Sequence, residues 1–281
     1  MHFVDRHREK IRQSPMSSRL LWACLLLVVL IGYIFYRGIP GLNWKFVSTQ
    51  ASYIKGTIGI LPNILNTLYI ILVSMLIVVP LGVGAAIYLT EYAQNRRLVS
   101  IISTAVETLT GIPSIIFGLV GMLFFNQLFG LKKGILAGGL TLVIMVLPTI
   151  ISNTKESLLT VPQAYREGAL ALGSGKWHMI RTVVLPNAID GVVTGCILAV
   201  GRITGESAAL LYTAGFGHRL LSFTKSLQSS AATLTVALYD YASEQGEFDV
   251  AFSIAVILMG ITLLINLSAS LAAKRLKEKR K

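Results

Sequence analysis

Charge is scarce in this chain. Only 14% of its 281 residues are Asp, Glu, Lys or Arg, against roughly 25% in soluble domains, while 54% are apolar. A single soluble domain cannot cover so much apolar surface with so few charges. The composition therefore reads as a polytopic membrane protein and excludes disordered, collagen-like and disulfide-scaffold chains. Cysteine is scarcer still. Cys24 and Cys196 both lie inside apolar runs, a placement that suits buried free thiols and offers no metal-ligand spacing. The four histidines, His2, His7, His178 and His218, are scattered, so neither a metal site nor a catalytic base is indicated. A nucleotide-binding loop is missing too. The glycine-rich run Gly168-Ala-Leu-Ala-Leu-Gly173-Ser174-Gly175-Lys176 lacks the lysine directly after the second glycine that a phosphate-cradling loop needs, and no strand precedes it. No catalytic residue, metal or cofactor is expected. Energy for any transport must come from a partner subunit or an ion gradient.

What is present is a set of long apolar runs. A spanning helix needs about 20 mostly apolar residues. Six runs qualify: Leu20 to Tyr36, Ile64 to Leu89, Leu98 to Phe129, Gly134 to Thr154, Gly191 to Gly217 and Val250 to Ala273. The first follows a basic segment but is not followed by a small-x-small cleavage site, so it reads as a retained anchor. The third is longer than one straight helix needs and is interrupted by Gly111-Ile112-Pro113, which predicts a short helix followed by a span. The expected fold class is all-α, a polytopic membrane protein with six transmembrane helices.

The net charge of +12 resembles a nucleic-acid signal, but its distribution excludes that partner and implies the lipid bilayer. Basic residues cluster at both termini and in two loops, always beside apolar runs. Six spans put both termini on one side, and that side carries 17 Lys and Arg against 7 on the other. The bias predicts cytoplasmic termini and a cytoplasmic 153–188 loop.

Three prolines, Pro80, Pro113 and Pro148, sit within apolar runs, where each removes a helix hydrogen bond and can kink its helix. In the fifth run Gly191 and Gly195 are four apart, as are Gly201, Gly205 and Ala209. Small residues at that spacing let helix backbones approach closely, which predicts a central place for this helix. Beside the stripe lie Arg202 and Glu206, expected on one helix face because they are four apart. A charge at the bilayer centre costs from about 3 to over 10 kcal/mol and so faces protein or water. The pair reads either as a self-neutralising brace or as the lining of a translocation pathway, with Arg202 able to grip an oxyanion through two parallel hydrogen bonds. Glu107 is the other charge within an apolar run; it precedes the Gly-Ile-Pro break and suits a place at the interface equally well.

The 153–188 loop is the most specific segment. Pro162 suits a first helical turn, residues 163–172 are mostly helix formers, and Gly173 suits the left-handed residue after a helix end. Lys176 to Val184 suits a second short helix stopped at Leu185-Pro186. The result is a rigid knob with a glycine corner, or, taken alone, an interfacial hairpin lying on lipid.

Within that loop Glu167, Ala169, Gly173 six positions after the glutamate, and Val183-x-Leu185-Pro186 ten further on resemble the EAA loop of binding-protein-dependent ABC importer permeases. Gly168 and Val183 depart from the family's usual alanine and isoleucine. Gly-Ile-Pro-Ser-Ile-Ile-Phe-Gly-Leu (111–119), Leu-Pro-Thr-Ile-Ile (147–151), Val-Pro-Gln-Ala-Tyr-Arg-Glu (161–167), Gly-Arg-Ile-Thr-Gly-Glu-Ser-Ala-Ala (201–209) and Pro-Leu-Gly-Val-Gly-Ala-Ala-Ile-Tyr-Leu (80–89) are similar to the phosphate-importer branch, the PstA type more than the PstC type. The resemblance spans residues 56–273. It implies a type I importer permease bundle in a bacterial plasma membrane, forming half of a phosphate translocation pathway through Arg202 and Glu206. Glu167, Gly168, Ala169, Gly173, Leu185 and Pro186 would form the ATPase-coupling loop. Implied partners are a second, PstC-like permease, two ATP-binding subunits, an extracellular phosphate-binding protein and inorganic phosphate. The implied division is 1–55 for the N-terminus, first helix and external loop, 56–273 for the permease domain and 274–281 for a basic tail. Rival readings are an importer of another oxyanion such as sulfate or molybdate, an ion-coupled carrier acting alone, and a structural membrane protein.

Overall fold

The computed structural model describes residues 21–52 and 57–278. The basic N-terminal run, Lys55, the end of the basic tail and the division expected at residue 55 lie outside the described residues.

The described residues form a helical bundle with one small β-hairpin. Helix α1 (Leu21–Gly41) leads through a short α2 (Trp44–Ser48) to strands β1 (Gln50–Ser52) and β2 (Thr57–Ile60), paired antiparallel with Gln50 opposite Ile60. The hairpin is an addition to the all-α expectation. Then come α3 (Leu61–Tyr92), α4 (Arg96–Thr110), α5 (Ser114–Leu128), α6 (Ile135–Thr160), α7 (Gln163–Ala171), α8 (Lys176–Asn187) and α9 (Ile189–Thr204). The short α10 (Ala208–Thr213), α11 (Phe223–Ser226) and α12 (Leu234–Tyr239) precede the closing α13 (Phe248–Glu278). Among the described residues four helices, α1, α3, α6 and α13, are each long and apolar enough to cross a membrane. The bent pairs α4–α5 and α8–α9 bring the number to six if each counts as one span.

Helix α6 is the hub, packed against α3, α9, α5, α4 and α10. Ile70, Leu142, Met145, Ile150, Ile203 and Leu210 are fully or almost fully buried there. Pro80 and Pro148 lie inside α3 and α6, which run on through both. At Gly111-Ile112-Pro113 the chain turns by 102° between α4 and α5, where the sequence placed a break. Helix α3 has 32 residues and so runs about 48 Å at ~1.5 Å per residue. That exceeds a hydrocarbon core of about 30 Å, so it is long enough to cross one with tilt. One end carries Asn63 and the other Glu91.

Helix α6 runs on to Thr160, past the expected end at Thr154, and two further boundaries differ from expectation. The fifth span does not run from Gly191 to Gly217 as one helix. It ends at Thr204, and a new helix starts at Ala208, because Gly205 is a poor helix former and the Glu206 carboxylate accepts the Ala209 N–H at 3.0 Å, taking the place of an N-cap. The second knob helix does not stop at Leu185-Pro186. It widens over Ile180–Val184, so that the N–H of Leu185 reaches the carbonyl of Ile180, and continues to Asn187. The wider turn relieves the clash that a proline ring makes with the preceding turn. The chain then bends by 68° into α9.

The glycine stripe is half used. A Cβ at Gly191 would fall on Ser157, and one at Gly195 would lie 3.0 Å from the Asn153 Cβ, so α9 meets α6 backbone to backbone. Gly201 faces open space.

Candidate permease site: a knob, a broken span and an outer cluster

The knob at the Glu91 end is built as its sequence suggests. Pro162 stands before α7 with extended backbone, and Gly173 after it has φ +82°. The N–H of Gly173 donates to the Leu170 carbonyl at 2.9 Å and that of Ser174 to Ala169 at 3.1 Å, the two bonds of a Schellman turn. Beneath the turn, Ala86, Ile87, Leu158, Val161, Met179, Ile180 and Val184 form a buried cluster that ties α3, α6 and α8 together. Ala169 and Leu185 are half-buried against it. Glu167, Gly168 and Gly173 are exposed, and Pro186 is half-buried. Around them stand bare apolar side chains: Leu172 is 91% exposed, Trp177 60% and Tyr165 51%.

The sequence shows Arg166 as a loop charge within the 161–167 motif but assigns it no role, and it gives Glu91 no part. The fold brings them together. Arg166 Nε and Nη2 donate to Glu91 Oε1 at 3.1 and 2.9 Å, and the two side chains are only 11% and 6% exposed. They border a cleft of about 570 Å³ between α3 and the knob. Lys176 sits over the Tyr92 ring at 5.0 Å. Two signals marked Glu91 in advance: it is the first charge after an uncharged stretch from Gly56 to Thr90, and it closes an apolar span.

In the broken span, Arg202 and Glu206 do not pair. Glu206 is buried; its side chain caps α10, and its carbonyl accepts from Thr235 Oγ1 at 2.7 Å. Arg202 is half-exposed in the last turn of α9 and has no hydrogen bond or ion pair among the described residues. The expectation of a shared face presupposed a helix that continues past Gly205. Glu107 is exposed in α4.

At the Asn63 end the fold collects what the sequence scattered. His218 Nε2 lies 3.0 Å from Asp240 Oδ2, and its Nδ1 lies 3.1 Å from the Asn63 amide. Gln245 donates to Asp240 at 2.7 Å. Asn63 and Asn66 also donate to the Ala232 carbonyl, which fixes the loop before α12 to α3. Among the described residues no group of three or more His, Cys, Asp or Glu is placed to hold a metal.

A knob of this kind on a bent-helix bundle has counterparts. Residues 78–281 match the family model for the inner membrane component of binding-protein-dependent transport systems. The chain belongs to this family. It is a transport subunit and not itself an enzyme. It is 39% identical over 208 residues to the probable ABC transporter permease YqgI of Bacillus subtilis, covering 73% of this chain and 71% of that protein. It is 35% identical to the phosphate transport permease PstC of Xylella fastidiosa (82% and 77% covered). The phosphate permease PstA of Haemophilus influenzae stands at the same 35% (80% and 77% covered). Solved structures show the fold: a chain of the inward-facing MetNI methionine ABC transporter superposes with a TM-score of 0.63 at 20% identity, over 77% of this chain and 95% of that one. A chain of a bacterial ABC transporter that imports alginate gives 0.63 at 16%, over 95% and 99%. The bundle is thus of the type I importer permease kind.

Proposed function

We propose that this permease is one of the two membrane subunits of an ATP-driven importer of inorganic phosphate, of the PstA or PstC kind. The observation that carries the reading is the lone Arg202. A permanently charged guanidinium with no ion-pair partner among the described residues, half-exposed at a break in a spanning helix, suits an oxyanion in transit, and relatives named as phosphate permeases match four fifths of the chain. Glu206 holds the break that presents Arg202. The knob, with Glu167, Gly168, Ala169, Gly173, Leu185 and Pro186, lies in the cytoplasm and docks an ATP-binding subunit, its exposed Leu172 and Trp177 supplying apolar contact. The second permease, two ATP-binding subunits and an extracellular phosphate-binding protein complete the importer. Residues 56–273 form its permease domain, and both termini are cytoplasmic.

Phosphate uptake by cells lacking this chain, compared with the same cells re-supplied with it, tests the reading. Restored uptake that depends on ATP is expected. Unchanged phosphate uptake on deletion, or restored uptake of another oxyanion alone, overturns it.

A further inference from the structure

Arg166 has a role that its neighbour Glu167 does not share. Glu167 faces outward, whereas Arg166 points from the middle of α7 into the bundle. Besides its two bonds to Glu91, its Nη1 donates to the Val161 carbonyl at 2.6 Å and its Nη2 to the Leu158 carbonyl at 2.8 Å. Leu158 lies in the last turn of α6, where its carbonyl also accepts the Val161 N–H at 3.3 Å, and Val161 directly follows that helix. Glu91 lies in the last, widened turn of α3. One guanidinium therefore joins three elements: the knob helix, the end of α6 and the end of α3.

The chemistry explains the choice of residue. Arginine keeps its charge when buried and presents a planar fork of donors. The carboxylate and the partial negative charge of the α6 terminus together neutralise it. Buried ion pairs add little stability over well-packed apolar groups; what four directional bonds add is a fixed orientation. The apolar packing through Met179, Ile180 and Val184 is non-directional, whereas the four bonds of Arg166 fix an orientation. The stacking of Lys176 on Tyr92 at 5.0 Å adds a second contact across the same joint.

We propose that Arg166 and Glu91 are positioning residues that tie α7 to the end of α3 as one rigid body. A displacement applied to the knob then moves α3 instead of being absorbed at the joint. The proposal rests on the reading that a partner subunit drives the knob.

The test uses the chain purified with its partner permease and ATP-binding subunits and reconstituted in vesicles with the binding protein. Spin labels placed at the exposed positions Tyr88 and Ala171, with Cys24 and Cys196 replaced by serine, report the distance across the joint. That distance should stay constant between the nucleotide-free and ATP-bound states. In Glu91→Gln, which keeps shape but loses charge, it should shift or broaden with ATP, and phosphate moved per ATP hydrolysed should fall. Arg166→Lys keeps the charge, but one ammonium replaces a fork that reaches Glu91 and both carbonyls, so it should fall in the same way. A distance that changes with ATP in the parent chain overturns the tie. So does a Glu91→Gln complex in which either readout is unmoved, or one that fails to assemble, since the bridge then serves folding alone. Should the parent complex hydrolyse ATP without moving phosphate, the phosphate reading fails while the distance measurement still judges the tie.

Discussion

Gly173→Val isolates backbone strain from steric conflict. A Cβ at Gly173 meets nothing within 4 Å, and the same holds at Gly168. The two positions differ in backbone: Gly173 has φ +82°, whereas Gly168 lies within α7. An L-residue in the left-handed region costs about 1–2 kcal/mol, and a β-branched one is a genuine outlier there. A change of that size alters the population of the folded corner about 5- to 30-fold. Since the bonds from Gly173 and Ser174 to Leu170 and Ala169 set the angle between α7 and α8, the corner opens and displaces Trp177 and Leu172. Gly168→Ala should do the reverse, gaining up to about 1 kcal/mol of helix propensity. Asparagine tolerates the left-handed region, so Gly173→Asn should lie between. The assay is ATP-driven solute uptake normalised to the amount of assembled complex. Expected uptake falls in the order Gly168→Ala, Gly173→Asn, Gly173→Val, with equal membrane insertion. Equal uptake in Gly168→Ala and Gly173→Val would show that the knob's angle does not matter to coupling.

Arg202→Gln should abolish phosphate uptake while the complex assembles and binds ATP, and Arg202→Lys should keep part of the activity, because a point charge replaces a fork; normal transport by Arg202→Gln would make the residue structural only. Gly191→Val should destabilise the complex by about 1–3 kcal/mol through overpacking, since its side chain would land on Ser157; thermal unfolding in detergent measures this, and an unchanged midpoint would contradict the close approach of α9 to α6.

Features encoded by single residues or short runs were legible in the sequence. Gly173 requires only that a helix end before it. Gly111-Ile112-Pro113 breaks α4 from α5 because a glycine and a proline two residues apart disfavour helix together, whereas the lone Pro80 and Pro148 do not interrupt their helices. The long apolar runs at 64–89, 134–154 and 250–273 mark spans that follow from composition. What escaped were pairings between distant positions. Arg166 and Glu91 are 75 residues apart, and no periodicity connects them; only the parallel packing of α3 and α6 brings their ends together. His218, Asp240 and Asn63 likewise meet because three elements converge at the other end. The i,i+4 rule misled at Arg202 and Glu206 because it was applied across Gly205. The run Gly205-Glu206-Ser207 held the correction: a poor helix former followed by polar acceptors is where a helix restarts.

That correction separates two roles for Glu206. As an ion-pair partner or proton acceptor in transit, it must carry charge. As a cap, it must only offer an oxygen to the Ala209 N–H at 3.0 Å. Glu206→Gln tells these apart, because the amide keeps an oxygen of the same reach and loses the charge. Glu206→Ala loses both. It removes a cap worth about 0.5–2 kcal/mol and leaves the buried Ala209 N–H without an acceptor, a further penalty of about 1–3 kcal/mol. The break then loosens, and Arg202 in the turn before it loses its fixed position. Phosphate uptake should therefore be close to normal in Glu206→Gln and low in Glu206→Ala, measured at matched complex levels. Loss of uptake in Glu206→Gln with the complex intact would return the carboxylate's charge to the mechanism and refute the capping role as its main contribution.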